Sequence, residues 1–219
     1  MDNLSVVKAN DLIDASYRMN ANAQKLVLCC IAKIDTLGMI PNSITITTEE
    51  YSKLVGTKNV TRDLYKSADA LFDAAIYIQK HNERVRIRWV SKDITTFKGE
   101  GAVTIYWSKE VLPYITCLTS RFTSYKLREI GAFKSAHTIR LYELIMKFKK
   151  SGVRRISLED FKSALGVSDL YPLFSELKRR VITPSVKEIN KHSTLDLHVE
   201  TIKKNRAVTE LIFGFAPKA

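Results

Sequence analysis

A stretch of eleven residues occurs twice in this chain at a constant offset of 110. Residues 46–56 read I-T-T-E-E-Y-S-K-L-V-G, and residues 156–166 read I-S-L-E-D-F-K-S-A-L-G. Ile46 thus matches Ile156, Thr47 Ser157, Glu49 Glu159, Glu50 Asp160, Tyr51 Phe161 and Gly56 Gly166, with a looser echo in Leu64/Phe174 and Leu71/Val181. A chain that repeats its own plan folds as two similar units. Its 219 residues allow about 100 for each.

The flanking pattern is shared as well. An apolar helical run precedes each motif, Gln24–Ile34 in the first half and roughly Ser135–Lys150 in the second, where Ile139, Tyr142, Ile145 and Met146 recur at helical spacing. A short strand then leads into Thr47 or Ser157, residues that cap a helix by accepting a bond from a free backbone N–H. The acids behind them favour the positive end of the helix dipole. Gly56 and Gly166 are expected to end that helix in a left-handed conformation. Second helices are expected over about Val60–Ala74 and Tyr171–Lys191.

Alternating apolar residues follow: Ile76 and Ile78; Val85, Ile87 and Trp89; Val103, Ile105 and Trp107; then Leu195, Leu197 and Val199; Leu211, Phe213 and Phe215. Period two marks half-buried antiparallel strands. The order describes an α+β chain of two tandem winged-helix domains, each a helix-turn-helix plus a β-hairpin wing, assigned to residues 1–125 and 126–219.

Charge is distributed unevenly between them. The chain has 35 Lys and Arg against 23 Asp and Glu, a formal charge of +12. Residues 1–125 carry 16 basic and 13 acidic side chains, whereas residues 126–219 carry 19 and 10. Such an excess points to a polyanionic partner, concentrated on the second unit.

A helix-turn-helix reads DNA by laying its second helix in the major groove. In the second unit, Phe174, Leu177, Val181, Ser185 and Ile189 fall on one side of that helix. Arg179, Arg180, Thr183, Lys187 and Asn190 fall on the other, flanked by Ser175 and Lys178. The outer side offers cations for phosphates and guanine edges, and hydroxyl and amide groups for bases; the bland alternative is a solvated helix face. Thr183-Pro184 either bends this helix or starts a new one. The turn Lys203-Lys204-Asn205-Arg206 is the expected wing tip, able to reach phosphates or a minor groove. In the first unit Lys58, Asn59, Arg62 and Lys66 form a poorer counterpart, diluted by Asp69 and Asp73. Arg84, Arg86 and Arg88 form a stripe on one sheet face, open to DNA, the other domain or a second copy.

Other classes find no support. There is no G-x-x-x-x-G-K-[ST] phosphate loop, and Gly99 and Gly101 are read as hairpin glycines. His81, His137, His192 and His198 show no metal spacing, so neither a catalytic site, a metal nor a cofactor is expected. Three cysteines, Cys29, Cys30 and Cys117, build no disulfide framework. The longest uncharged run, Thr36–Thr48, has 13 residues and contains Pro41, against about 20 apolar residues for a membrane span. With no secretion signal at the N-terminus, a cytoplasmic protein without membrane contact is expected.

Several segments resemble the iteron-binding plasmid replication initiator family of the F-plasmid type. They are S-A-H-T-I-R-L-Y-E-L at Ser135–Leu144, K-R-R-V-I-T-P-S-V-K-E-I-N at Lys178–Asn190 and I-F-G-F at Ile212–Phe215, with L-I-D-A-S-Y at Leu12–Tyr17 and N-A-Q-K-L-V-L at Asn22–Leu28. The resemblance spans nearly the whole chain. It implies monomers that bind directly repeated origin sequences in double-stranded DNA, and homodimers, formed through the first domain, that repress their own promoter. It also implies a host replication initiator and helicase as further partners. A tandem winged-helix transcriptional regulator and a protein-interaction module are the alternatives.

Overall fold

The computed structural model describes residues 4–34, 41–97 and 101–218; Gly99 lies outside them. Eleven strands and nine α-helical segments occur among the described residues, and the repeated motifs fold as a matched pair. Strand β3 (Ser43–Thr47) runs into α3 (Thr48–Ser52), where the Thr47 side chain accepts from the Glu50 N–H and Glu50 answers the Thr47 N–H, a reciprocal capping box. Strand β9 (Val153–Ser157) runs into α7 (Leu158–Ala164), with Ser157 accepting from the Asp160 N–H at 3.0 Å.

After α3 comes α4 (Val60–Asp73), and after α7 comes a longer helical stretch. The latter starts at Phe174, not Tyr171, because Tyr171 has φ +55°. It comprises α8 (Phe174–Leu177), a π-helical turn (Lys178–Ile182) and α9 (Thr183–His192). Pro184 neither breaks the helix nor leaves Thr183 as a side-chain cap. The residues at both joints keep right-handed helical angles, and the Thr183 N–H reaches back five residues to the Lys178 carbonyl. That wide turn loosens the carbonyl ladder just where a proline ring would meet the carbonyl four residues back.

The buried residues of this stretch explain the turn further. Leu177, Val181, Ser185 and Ile189 are all buried at a strict spacing of four, which over-runs an ordinary helix by roughly 40° per step at 3.6 residues per turn. The wide turn takes up that drift and holds all four against the core, with Ile182 buried beside them.

The strands of the second unit form one antiparallel sheet in the order β10–β11–β9, with β10 (Leu195–Lys204) and β11 (Ala207–Pro217) as the wing. The first unit is more elaborate. Its wing is β6 (Val90–Thr96) with β7 (Ala102–Trp107), joined to β3, while β4 (Ala75–Lys80) and β5 (Glu83–Arg88) form a second hairpin with β2 (Ser16–Tyr17). That additional hairpin sits between helix and wing.

Two central helices join the units. In α2 (Ala21–Ala32) every residue from Ala23 onward is buried, and in α6 (Ala136–Met146) every residue from Thr138 is. Helix α4 packs on α2, α2 on α6, and α6 on α9. The chain start is drawn into this centre: β1 (Ser5–Ala9) pairs with β8 (Phe122–Lys126), Val6 opposite Tyr125. The division expected at residue 125 therefore falls within β8. Helices α1 (Asn10–Asp14) and α5 (Arg128–Gly131) flank that pair.

Gly166 and Gly56, equivalent in sequence, differ in structure. Gly166 ends its helix with φ +69° and lies so close to the first unit that a Cβ would stand 2.8 Å from the Tyr17 carbonyl oxygen. Gly56 has no positive φ, and a Cβ there would meet nothing within 4 Å; α3 has already ended at Ser52. The left-handed stop expected of both is made only where the units touch.

Candidate nucleic-acid interface

The long helix of the second unit turns one face to the core and the other to solvent. Ser175, Lys178, Arg179, Arg180, Thr183 and Lys187 are all exposed, opposite buried Leu177, Val181, Ser185 and Ile189. Arg180 lies 3.9 Å from Glu176 one turn earlier, a loose pair of small energetic weight. The face is anchored from behind: the Thr138 hydroxyl lies 3.3 Å from that of Ser185, and the Lys134 N–H donates to Glu188 at 2.6 Å.

Asn190 serves a different end from its expected neighbours. Its amide donates to the Leu197 carbonyl at 2.8 Å and accepts the Leu197 N–H at 2.7 Å, so the side chain pins the end of α9 to the wing.

The wing tip is formed as the alternation requires. Lys204 pairs with Ala207 across a two-residue turn of Asn205 and Arg206, with φ +50° and +69°, the twist that hairpins favour. A bulge at Ile202/Lys203 increases the local twist. Lys203, Lys204, Asn205 and Arg206 are all exposed. At the base of the wing Arg155 is paired with Glu210; Asp196 and Glu200 are exposed along β10, and the wing's cations gather at the tip.

In the first unit Lys58 and Asn59 precede α4, and Arg62 and Lys66 stand exposed on it. Arg62 is partly matched by Asp63 at 3.8 Å, and Asp69 and Asp73 are exposed farther along. Sequence reasoning missed the aromatic pair beside this face. Tyr65 meets Phe97 edge to face at 5.4 Å between centroids, its hydroxyl donates to the Thr96 carbonyl at 2.9 Å, and Phe97 is 79% exposed at the end of the wing strand. The arginine stripe divides: Arg84 stacks on Tyr77 at 4.2 Å, Arg88 donates to the Phe72 carbonyl at 2.9 Å, and Arg86 points to solvent. Arg84 also lines a polar cleft of about 700 Å³ between the units, opposite Ser163, Ser168 and Asp169.

Among the described residues no cluster of metal-binding side chains occurs, and no helix is long and apolar enough to cross a membrane. Cys29 and Cys30 are buried in α2, where burial pushes the Cys29 thiol up to about 12 and raises that of Cys30 well above its usual value. Neither forms a reactive thiolate.

Two helix-turn-helix units, each with a wing and an outward second helix, define a tandem winged-helix protein. The chain belongs to the initiator replication protein family: residues 5–146 match the family model described as "Initiator Replication protein, WH1", and residues 157–215 match "Initiator Rep protein, WH2". It is 28% identical over 229 residues to a replication initiation protein of Escherichia coli, covering 97% of this chain and 70% of that one. An uncharacterized 27.6 kDa protein of Escherichia coli is 26% identical over 211 residues, covering 88% and 87% of the two chains. The fold matches the crystal structure of the Pi initiator protein in complex with iteron DNA, with a TM-score of 0.84 at 19% identity over 100% of this chain and 99% of that one.

Proposed function

We propose that this protein binds directly repeated origin sequences, or iterons, in double-stranded DNA as a monomer and so starts replication of the plasmid that carries them. The observation that carries this reading is the solvent-facing side of the long helix, where Lys178, Arg179, Arg180 and Lys187 stand with Ser175 and Thr183. The Pi initiator of the matching fold was crystallised on iteron DNA. The arginines have the geometry to grip guanine edges two-pronged, and the lysines and wing cations answer phosphates. Lys58, Asn59, Arg62 and Lys66 of the first unit add backbone contacts in a neighbouring groove. Two reading helices set one turn of duplex apart, about 34–36 Å, suit a repeat of roughly 20 base pairs.

The division of labour follows the charge, with residues 126–219 reading sequence and residues 1–125 holding the backbone and a second copy. Strand β5 ends its sheet, and an unpaired edge is a template for a second strand. Homodimers formed there repress the protein's own promoter. The protein works in the cytoplasm with a host initiator and helicase, and without catalytic chemistry of its own.

Gel shift against duplexes carrying the direct repeats tests this reading. A specific complex of one monomer per repeat is expected, weakened by Arg179→Ala with Arg180→Ala. If about eight phosphates are neutralised, log K falls against log salt with a slope near −7. An affinity indifferent to salt or to both arginines would overturn it.

A further inference from the structure

Outside the reading surface, the least ordinary feature is a group of charges buried between the two units. Glu143 of α6 is fully buried and accepts four hydrogen bonds: from Lys8 Nζ at 2.7 Å and Tyr125 Oη at 2.6 Å on one oxygen, and from Arg140 Nη1 at 2.6 Å and Tyr17 Oη at 3.1 Å on the other. A carboxylate has about four such positions, so every one is filled. Arg140 is 1% exposed and its Nη2 donates to the carbonyls of Ile13, Ala15 and Ala164 at 2.7, 2.9 and 3.1 Å. One guanidinium thus binds the backbone of the first unit within and just after α1 and that of the second at the end of α7. Lys8 comes from β1, Tyr17 from β2 and Tyr125 from β8, so five elements converge on α6.

An apolar contact between two units tolerates sliding, because dispersion and burial have little directionality. A buried ion cluster does not: displacement by an ångström leaves a charge without its partner in a low-dielectric interior. The cluster also sits on the mechanical path between the reading helices, which runs from α4 through α2 and α6 to α9.

We propose that the Lys8–Glu143–Arg140 cluster, closed by Tyr17 and Tyr125, fixes the separation and angle of the two reading helices and thereby sets the half-site spacing this protein accepts. Glu143 and Arg140 are positioning residues that never touch DNA. The proposal rests on the DNA-reading function above.

The test uses a duplex that the full-length protein selects from a random-sequence pool, and the same duplex with one or two base pairs inserted between its half-sites. Each inserted pair moves the halves about 3.4 Å apart and turns them about 35°. For the wild type, insertion is expected to lower affinity at least about tenfold, the scale of a lost base-pair contact or more. In Glu143→Gln, which keeps shape but removes the charge, the penalty is expected to shrink to about threefold or less while affinity for the uninterrupted duplex also falls. Tyr125→Phe, which removes one bond to Glu143 and keeps the ring, gives the same trend more weakly and serves if the first variant does not fold. Circular dichroism checks the fold of each. A loosened core by itself would weaken all duplexes in proportion and leave the ratio unchanged. Folded variants that keep the wild-type ratio overturn the positioning role and leave the DNA reading standing. A pool from which no sequence is enriched overturns both.

Discussion

Arg206 occupies a backbone position where glycine is the ordinary choice. Its φ of +69° follows the +50° of Asn205, and a non-glycine residue there carries about 1–2 kcal/mol of local strain. Arg206→Gly is therefore expected to leave thermal stability unchanged or slightly raised while lowering affinity for every DNA sequence alike; a fall in melting temperature would show that the side chain serves the hairpin and not the ligand. The two glycines of the repeat give the converse pair. Gly166→Ala is expected to cost about 1–3 kcal/mol in urea unfolding, from a left-handed alanine pressed against the Tyr17 carbonyl. Gly56→Ala is expected to be neutral or stabilising by up to about 1 kcal/mol, since the residue has ordinary φ and open space. Equal effects at both sites would contradict the asymmetry.

At the scale of the element, the capped helix starts and the solvent-facing sides were legible because they depend on neighbours in sequence, whereas the start of the long helix was not, since it waits on the left-handed Tyr171. Thr47 and Ser157 cap as their spacing requires, and Thr47→Ala is expected to cost about 1 kcal/mol of stability. The solvent face of the long helix was legible from its apolar spacing for the same reason. Two further features were not. The π turn answers a conflict between a four-residue apolar repeat and the pitch of a helix, and only contact with α6 decides how that is resolved. The role of Asn190 depends on Leu197 of the wing, a partner that helical periodicity does not reveal. Arg179→Ala is expected to weaken specific binding by about 1–3 kcal/mol, and Lys204→Ala to weaken all sequences equally. Competition gel shifts against the selected and a scrambled duplex separate the two.

The whole molecule has a pH dependence written into its centre. Burial alone would raise the Glu143 carboxyl, but Lys8, Arg140 and the hydrogen bonds from Lys8 and Tyr125 outweigh it and hold the group at about 2. The ionised form is thus stabilised by folding. That contribution, on the order of 3 kcal/mol, is complete above pH 4.5 and is lost as the pH falls toward 2. Lys8 behaves in the opposite sense: burial pushes it down to about 8 against the pull of Glu143, because it shares one carboxylate with Arg140. Between pH 8 and 10.5 the unfolded chain holds a proton that the folded one has released, so stability is expected to rise with pH across that window. Urea midpoints at pH 3, 6, 8 and 10 check both limbs, and Lys8→Met should abolish the alkaline rise and also shrink the acid limb, because Lys8 is the nearest charge holding the Glu143 carboxyl down.

The sequence by itself determined the number of units, their winged-helix plan, the caps, the wing tip and the cationic face, because each follows from spacing or charge within a few residues. Only the tertiary structure decided that the units are locked and how. The β1–β8 pair joins residues more than a hundred positions apart, and Lys8, Arg140 and Glu143 are buried only because each supplies what the others lack. A charge read in a linear chain belongs to the surface until its distant partners are known, since no local pattern offsets the cost of removing it from water.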